Sequence, residues 1–357
     1  MVLTQPIALW VVPVGNLAGV ARHALDVARA GVPGWRLVFL TPPGELPAAL
    51  REAGAAVLER PIGPDHGLRS SVATLRHAVR TLRPAVVHSH LAYADIVAAT
   101  VRGPGLVTTE HGIARDDLVY HHSAGRSRLM NTVHTARLRR FDAAIAVSRA
   151  TADAMVEKWH PHREVVVIPN GVDPVASVSR LAPLAPRPST IRVLSLARFA
   201  PEKRLDALVD GFAELRRSHP GATLTLGGRG EGEAALRSQV TRLGLDDAVA
   251  FPGFVDPEQA MADHDVLAML SVWENCSYAL LDAAARGLGV VASRVGGNPE
   301  ILPDRCLVDA VDARAVADAL ARQGLEVGAR PGLGSWPTVA DMTQRIGEVY
   351  DSVRSRG

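Results

Sequence analysis

Two cations and one carboxylate stand in loops where the sequence predicts that strands end. Arg198 and Lys203 follow an apolar run that ends at Ala197, and Glu274 follows the apolar run before Ser271. In doubly wound α/β folds, ligands bind outside the carboxyl ends of the strands. A guanidinium and an ammonium at that edge could bind a diphosphate, Arg through its bidentate fork and Lys as a point charge. Taken alone, the pair is more readily explained as solvated surface cations.

The stretch of residues 271–302 joins this carboxylate to a predicted helix start. Its sequence predicts a strand end, a polar loop with Glu274, a helix from about Ser277, a glycine turn, a second strand and a Gly-Gly loop. Helix N-termini offer free backbone N–H groups to anions. We therefore expect Glu274 and the N–H groups of residues 276–278 at the ligand-binding edge.

Histidines are concentrated in the first half of the chain. Eleven of the thirteen precede Arg163, and His88, His90 and His111 stand at the ends of predicted β runs. Such residues are usually core or surface imidazoles. His111 is the exception, because the run TTEHG places it directly at a strand end before a glycine.

Strand and helix patterns alternate along both halves of the chain. The buried run IALWVVPV leads into the loop GNLAG and an amphipathic helix, and the same order restarts at IRVLSLA. This alternation predicts two Rossmann-like, doubly wound α/β domains that face a cleft. A segment rich in Pro, Ser and Ala separates them. The predicted bounds are 1–173 for the first domain, 174–190 for the linker and 191–335 for the second domain.

A last helix is predicted over residues 336–357. It needs an apolar surface to pack on, and we expect it to cross back to the first domain. Its predicted apolar side consists of Trp336, Val339, Met342, Ile346, Val349 and Tyr350.

Composition excludes several classes of protein. The chain has 357 residues, 47% of them hydrophobic and 21% charged, which is typical of globular domains. No apolar run approaches the roughly 18 to 20 residues of a membrane span, and the start lacks the features of a signal peptide, so a cytoplasmic location is expected. The net charge of +2 argues against a nucleic-acid partner. Cys276 and Cys306 have no metal-ligand spacing and are predicted to be small buried residues.

Two further patterns leave alternatives open. The segment from Arg126 to Arg140 is predicted to form a basic helix that could contact an anionic membrane surface or a lipid-linked substrate. A solvated basic helix is an equal alternative, because the charged side is interrupted by Val133. Asp263 and Asp265 resemble an acid-x-acid metal site, but Asp265 opens an apolar strand and a structural role is favoured.

The motifs in their order resemble the retaining GT-B glycosyltransferases of family four, and the resemblance covers nearly the whole chain. The motifs are IPNGVD, LARFAPEK, the LGGRGE turn, LDDAVAFPGFV and ENCSYALLDAAARGLGVVASRVGGNPEIL, followed by the Trp-to-Tyr helix. No Walker loop, nucleophile elbow or Gly-x-Gly-x-x-Gly after the first strand is present. By resemblance, the second domain binds the nucleotide sugar and the first binds the acceptor.

The resemblance assigns roles in the donor site. Arg198 and Lys203 would bind the donor diphosphate, Glu274 would contact the transferred sugar, and Asp282 would hold the ribose. The family usually has glutamate at the last position, so the carboxylate of Asp282 is one methylene shorter and must reach the ribose directly or through water. The remaining implied substrate-binding residues are Gly228, Gly253, Phe254, Val255, Asn275, Cys276, Ser277 and Tyr278.

Two implied residues belong to the first domain. His111 matches the family's His-Gly and would hydrogen-bond the donor sugar as a catalytic residue together with Glu274. In the N-terminal loop the family often has two adjacent glycines, and here Ala18 replaces the first while Gly19 keeps the second.

The implied reaction moves a sugar from a nucleotide diphosphate to an acceptor hydroxyl with retention of configuration. Front-face attack is favoured, with the leaving diphosphate taking the acceptor proton. Arg198, Lys203 and the helix N-terminus after Glu274 would stabilise the charge growing on the diphosphate, so neither a metal nor a cofactor is expected. The acceptor would be a cell-envelope, lipid-linked or small-molecule hydroxyl. Two alternatives stay open: a sugar-nucleotide epimerase of the same architecture, and a non-catalytic sugar-nucleotide-binding protein.

Overall fold

The computed structural model describes residues 5–113, 124–174 and 190–356, with side chains omitted for 124–129. It divides the chain into two compact units. The first unit comprises residues 1–171 and 337–357, and the second comprises residues 172–336. Most of the predicted linker, residues 174–190, lies outside the described residues. Among the helices that are described, none combines the length and the apolarity needed to cross a membrane.

The first unit contains a parallel sheet of seven strands. Its central strands are buried along almost their whole length, as expected where helices cover both faces of a sheet. The strand order is β3-β2-β1-β4-β5-β6-β7. The strands are β1 (Ile7–Val11), β2 (Arg36–Thr41), β3 (Ala56–Glu59), β4 (Val86–His90), β5 (Gly105–Glu110), β6 (Ala143–Ala146) and β7 (Val165–Val167).

Helices connect these strands, and most bury one apolar side against the sheet. They are α1 (Gly19–Ala30), α2 (Glu45–Glu52), α3 (Leu68–Leu82), α4 (Leu91–Ala98), α5 (Ala124–Leu138) and α6 (Arg149–Trp159). Strand β4 passes directly into α4 through Leu91, whose φ of +71° is in the left-handed region. This junction holds the end of β4 in a tight turn.

The second unit repeats the design with six parallel strands in the order β10-β9-β8-β11-β12-β13. The strands are β8 (Arg192–Leu196), β9 (Thr223–Gly227), β10 (Val249–Gly253), β11 (Val266–Met269), β12 (Gly289–Ser293) and β13 (Leu307–Val308). The helices are α7 (Leu205–Ser218), α8 (Glu233–Arg242), α9 (Pro257–Asp263), α10 (Tyr278–Ala285), α11 (Asn298–Ile301) and α12 (Ala313–Leu325). The predicted pair of parallel α/β domains is confirmed.

The last helix, α13 (Val339–Arg356), is part of the first unit. Its apolar side packs into the core that contains Trp10 and Phe39. Trp336 differs from the prediction, because it precedes the helix and packs against the core of the second unit. The buried residues of α13 in this core are Val339, Met342, Ile346, Val349, Tyr350 and Val353.

Each sheet has one point where the strand order reverses. In the first unit it lies between β1 and β4, and in the second between β8 and β11. At such a point the two following loops diverge and leave a crevice at the carboxyl ends of the strands. The candidate functional residues are therefore expected at these two places.

Candidate functional site

The crevice of the second sheet holds a cation and a carboxylate in direct contact. Lys203 lies in a short turn after β8, and Glu274 lies in the loop after β11. Lys203 Nζ donates a hydrogen bond to Glu274 Oε1 at 2.6 Å. The side chains are 26% and 14% exposed, so solvent reaches both partners. The structure thus joins two residues that lie 71 positions apart in the sequence.

Backbone contacts fix the loop that carries Glu274. The N–H of Val272 donates to the carbonyl of Glu202 at 2.8 Å, and the N–H of Gly297 donates to the carbonyl of Glu274 at 2.9 Å. Gly296 has a φ of +50°, and a Cβ at this position would lie 1.9 Å from the Glu274 carbonyl oxygen. Only glycine allows this approach, so the Gly-Gly loop after β12 positions the carboxylate.

Arg198 lies at the same edge but has a different neighbour. Its side chain is 69% exposed and forms an ion pair with Glu202 one turn later. An exposed pair of this kind contributes little to stability. The guanidinium of Arg198 can therefore exchange Glu202 for an anionic ligand at little cost in free energy.

The glycine turns after β9 and β10 pack closely on this loop. A Cβ at Gly228 would lie 2.0 Å from the carbonyl oxygen of Ala197, and the N–H of Gly228 donates to the carbonyl of Gly253 at 2.7 Å. The guanidinium of Arg229 lies beside Gly253, 3.0 Å from the position of an added Cβ. Sequence reasoning did not single out Arg229, although the motif LGGRGE contains it.

Two apolar residues follow Gly253 at this edge. Phe254 is 82% exposed, whereas Val255 is partly buried against the second unit's core. An exposed aromatic ring at a ligand edge is a platform on which a flat, apolar ligand group can stack.

The start of α10 matches the predicted helix start. Ser277 is the N-cap residue, and Tyr278 is the first residue of the helix. The side chain of Ser277 forms no capping hydrogen bond with the described residues. Asn275 is buried and accepts a hydrogen bond from Trp273 Nε1 at 3.4 Å. Cys276 is only partly buried, which corrects the prediction that both cysteines are buried, while Cys306 is buried as predicted.

Asp282 lies in the second turn of α10. Its Oδ1 is 4.0 Å from Arg286 Nη1, and Arg286 also contacts Glu258 at 3.3 Å. The carboxylate is partly exposed, with a cation at the limit of ion-pair distance.

The crevice of the first sheet is lined by imidazoles. His90 ends β4, and His111 follows the end of β5. His90 Nδ1 lies 2.9 Å from His111 Nε2, and the two rings are stacked 5.2 Å apart. Trp10 of β1 packs on His90 at 4.4 Å, and His23 of α1 lies edge-on to His111 at 4.9 Å.

His88 forms a separate part of the same row. Its Nδ1 lies 2.6 Å from the Tyr350 hydroxyl of α13, and its Nε2 lies 2.8 Å from Thr109 Oγ1. With both nitrogens hydrogen-bonded, His88 is a core imidazole, the usual role of such a residue.

Burial keeps these imidazoles neutral. It lowers the pKa of His23 to about 4, against the opposite effect of the hydrogen bond with Asn170. It also lowers the pKa values of His88, His90 and His111 well below 6.5, and the neighbouring imidazoles add to the effect. At neutral pH the row presents hydrogen-bonding groups without charge.

Gly19 is the first residue of α1 and follows Ala18, which has extended backbone angles. No atom lies within 4 Å of the position that a Cβ of Gly19 would take. This side of the helix start is open to a ligand.

The predicted basic helix is partly internal. Arg137 of α5 is buried and forms ion pairs with Asp95 and, at 3.1 Å, with Glu110. It is therefore unable to contact a membrane surface, which corrects the prediction for this part of residues 126–140. The side chain of Arg126 lies outside those described, whereas Arg140 is exposed.

Two sets of residues bear on metal binding. Nitrogen atoms of His23, His90 and His111 lie within 4.8 Å of one another, so these three could hold a metal ion. Asp265 accepts hydrogen bonds from the Arg192 guanidinium at 2.9 and 3.0 Å at the amino end of β11. Asp265 thus has a structural partner, as its position at a strand start predicted.

Two family models and a curated relative match this chain. Glycosyltransferase Family 4 covers residues 17–175, and Glycosyl transferases group 1 covers residues 190–323. The glycogen synthase of Mycobacterium tuberculosis is 30% identical over 288 residues, which span 75% of this chain and 69% of the relative. The chain belongs to glycosyltransferase family 4. This glycosyltransferase therefore has the enzyme class that its motifs implied.

A second relative and a solved structure are also similar to the glycosyltransferase. A GDP-mannose-dependent alpha-(1-6)-phosphatidylinositol monomannoside mannosyltransferase of Mycobacterium tuberculosis is 29% identical over 343 residues, spanning 86% of the glycosyltransferase and 82% of the relative. The crystal structure of Anabaena HepE in complex with UDP-glucose has a TM-score of 0.75 at 22% identity, over 98% of each chain. The structural match confirms the GT-B fold of the glycosyltransferase.

Proposed function

We propose that this glycosyltransferase moves a hexosyl group from a nucleotide diphosphate to an acceptor hydroxyl with retention of configuration. The observation that carries the proposal is the contact between Lys203 and Glu274, 2.6 Å apart at the reversal point of the second sheet. A cation for the diphosphate and a carboxylate for the sugar are the two groups that such a donor requires side by side.

The diphosphate would bind Lys203 and Arg198. Both cations are accessible, and among the described residues each forms an ion pair with one carboxylate, Lys203 with Glu274 and Arg198 with Glu202, so an anionic ligand can take over their hydrogen bonds. When the bond between sugar and phosphate breaks, negative charge grows on the diphosphate, and fixed cations stabilise that charge. These two side chains supply the positive charge, so we propose that transfer needs no divalent metal.

The other ends of the donor have matching groups. Glu274, freed from part of its contact with Lys203, would accept hydrogen bonds from sugar hydroxyls. Phe254 would stack on the base because its ring is largely exposed, and Asp282 would accept from the ribose. We assign His111 to the same sugar, as its family resemblance implies.

Retention would arise from front-face attack. The leaving diphosphate takes the proton of the acceptor hydroxyl while the new bond forms on the face that it leaves. This step requires positioned cations more than a protein base, and the described residues of the second crevice are of that kind. A double displacement would instead require a carboxylate nucleophile at the reacting carbon, whereas the role proposed here for Glu274 is to accept hydrogen bonds from the sugar hydroxyls.

We propose a glycan or lipid-linked acceptor, on the names of the two mycobacterial relatives, which describe a glycogen synthase and a phosphatidylinositol mannoside mannosyltransferase. Contact with the cytoplasmic membrane surface would then involve the exposed residues Arg139 and Arg140 in the turn that follows α5. Flotation with vesicles containing anionic lipid, compared with neutral vesicles, measures this contact.

Calorimetry with a panel of nucleotide sugars tests the donor assignment. We expect Lys203→Met to weaken donor binding about 10- to 100-fold, because a hydrogen bond to a charged group contributes roughly 1.5–3 kcal/mol. Lys158→Met, which changes the only other lysine of the chain, is the matched control and should bind as the unchanged protein does. Undiminished affinity in Lys203→Met contradicts the diphosphate assignment.

Turnover assays separate the remaining alternatives. NMR of the product reports the anomeric configuration, and inverted product contradicts retention. Donor incubated without acceptor should stay unchanged, whereas an epimerase would convert it to an isomer. Transfer that stops in EDTA and returns with a divalent cation contradicts metal independence, and binding without turnover across the acceptor panel favours a non-catalytic role.

A further inference from the structure

The hydrogen bond between His90 and His111 bears on which ring nitrogen of His111 carries the proton. Their nitrogens, His90 Nδ1 and His111 Nε2, are 2.9 Å apart, so one proton lies between them. A neutral imidazole has one N–H donor and one acceptor nitrogen. Whether His111 Nδ1, the nitrogen left for a ligand, is a donor or an acceptor therefore depends on which ring supplies the shared proton.

The other nitrogen of His90 decides this question. His90 is fully buried, and its Nε2 has no hydrogen-bond partner. Buried N–H groups without an acceptor are rarer in proteins than acceptors without a donor. The proton of His90 is therefore expected on Nδ1, where it donates to His111, while Nε2 keeps a bare lone pair.

The tautomer of His111 follows from this assignment. If its Nε2 accepts from His90, its single proton must be on Nδ1. No described residue forms a hydrogen bond with His111 Nδ1, and His111 is the only one of the four clustered imidazoles that is not fully buried. This N–H is thus available to a substrate oxygen.

We propose that His90 is a positioning residue that holds His111 in the Nδ1–H tautomer, so that His111 donates a hydrogen bond to an oxygen of the bound sugar. The inference rests on the proposed function, since it assigns a role to the sugar-contacting histidine.

The surroundings of His90 support such a role. Its ring is clamped between Trp10 at 4.4 Å and His88 at 4.4 Å, and the next residue, Leu91, holds a left-handed backbone conformation. These contacts leave the ring few alternative orientations. Burial and neighbouring imidazoles also keep His90 and His111 neutral, as a single shared proton requires.

The tautomer can be measured in the unchanged protein. Long-range ¹H–¹⁵N spectra of protein labelled in histidine distinguish a protonated from an unprotonated ring nitrogen, and His111→Gln assigns the signal. We expect a protonated Nδ1 and an unprotonated Nε2 for His111. A protonated Nε2 overturns the proposal. This readout needs no substrate, so it remains decisive even if no transfer is found and the proposed function fails.

Two substitutions of His90 place an N–H group at different ring positions. The amide nitrogen of Asn lies close to the position of Nδ1, whereas that of Gln lies close to Nε2. We expect His90→Asn to keep kcat within about fivefold and His90→Gln to lower kcat about 100-fold, the typical effect of losing one positioned donor. The KM for the donor should change less than kcat, because the group acts on positioning. Equal activity of the two variants, at equal Tm, overturns the proposal.

Added Zn²⁺ tests a competing use of the same rings. A zinc ion bound by His23, His90 and His111 would replace the shared proton. We expect millimolar Zn²⁺ to leave the His111 signal unchanged. Micromolar binding that is lost in His23→Gln would show a metal site in place of the shared proton and overturn the proposal.

Discussion

The two reversal points of the glycosyltransferase have the same topology and opposite chemistry. At the first, between β1 and β4, buried His90 and half-buried His111 are neutral and hydrogen-bond each other. At the second, between β8 and β11, Lys203 and Glu274 are charged and solvent reaches them. Topology thus fixes where a ligand edge lies, whereas burial together with the available charge partners decides which groups can stay charged there.

The difference in burial also suits the two places to different parts of a ligand. A charged pair at the surface exchanges its partner for a charged ligand at little desolvation cost, which suits a diphosphate. Neutral imidazoles at depth keep fixed hydrogen bonds and suit the oxygens of an uncharged sugar. Four predictions test or sharpen this comparison.

The largest effect is expected from the buried ion pairs of Arg137, one of which is with Glu110, the residue before His111. Arg137→Met leaves Asp95 and Glu110 buried without their cation, so the free energy of unfolding should fall by about 3–5 kcal/mol. Arg217→Met in the second unit, which breaks an exposed pair with Glu214, should cost less than about 1 kcal/mol. Denaturant titration measures both, and equal losses would contradict the role assigned to burial.

Acid should destabilise the first unit before the second, because four imidazoles whose pKa values are lowered by burial outweigh Glu110, whose pKa burial raises to about 7 and whose effect has the opposite sign. An unfolded histidine gains its proton near pH 6.5, whereas folded His23 gains it only near pH 4. Between these values the unfolded chain binds more protons, so the stability present above pH 6.5 is lost as the pH falls, by about 3 kcal/mol from His23 alone. Hydrogen exchange of the β1 and β4 amides, compared with those of β8 and β11 at each pH, should report the transition of each unit separately.

The second unit supplies the internal control for this acid effect. Burial opposes the charge of Asp265, but hydrogen bonds from Arg192 outweigh it and lower its pKa below 3.8. The stability contributed by Asp265 is therefore lost only as the pH falls through that lower value. A second unit that unfolds first between pH 6.5 and 4 would contradict the comparison.

Two glycines should respond differently to the same substitution. Gly296→Ala puts a Cβ against the Glu274 carbonyl at a positive φ, so stability should fall by about 2 kcal/mol and donor binding should weaken. Gly19→Ala meets no atom within 4 Å, so stability should change by less than about 0.5 kcal/mol. Weakened substrate binding by Gly19→Ala at unchanged Tm would show that its open side receives ligand, and unchanged binding would contradict that role.

The smallest effect is expected from Asp282→Glu, which restores the family's glutamate. A direct hydrogen bond to ribose in place of a longer contact should tighten donor binding about two- to tenfold, the equivalent of roughly 0.5–1.5 kcal/mol. Asp304→Glu, at an exposed pair with Arg294, is the control and should leave affinity unchanged. Weaker binding in Asp282→Glu would show that the shorter carboxylate fits its own site.

Strand ends were the most predictable features. The strands before Arg198, Glu274 and His111 are largely buried, and parallel topology then puts the residues that follow them at the carboxyl edge of their sheet. The helix from Ser277 was likewise predictable. Trp336 was placed wrongly because an apolar residue at helical spacing can equally pack beyond the helix end, on the other unit.

Contacts between distant segments were beyond the sequence. Nothing near Lys203 indicates Glu274, and nothing near His90 indicates that its Nε2 has no partner. Arg137 illustrates the same limit, since its position in a basic helix suggested a surface role while its actual neighbours are two buried acids.

By itself, the sequence determined the paired α/β domains, the edges where polar residues collect and the family of the enzyme. These features follow from local patterns of apolar and turn residues, which a chain carries whatever its folded neighbours. Only the tertiary structure decided that Lys203 meets Glu274 and that His90 meets His111. The reason is physical: a side chain's charge and tautomer depend on burial and on partners that folding brings from elsewhere in the chain.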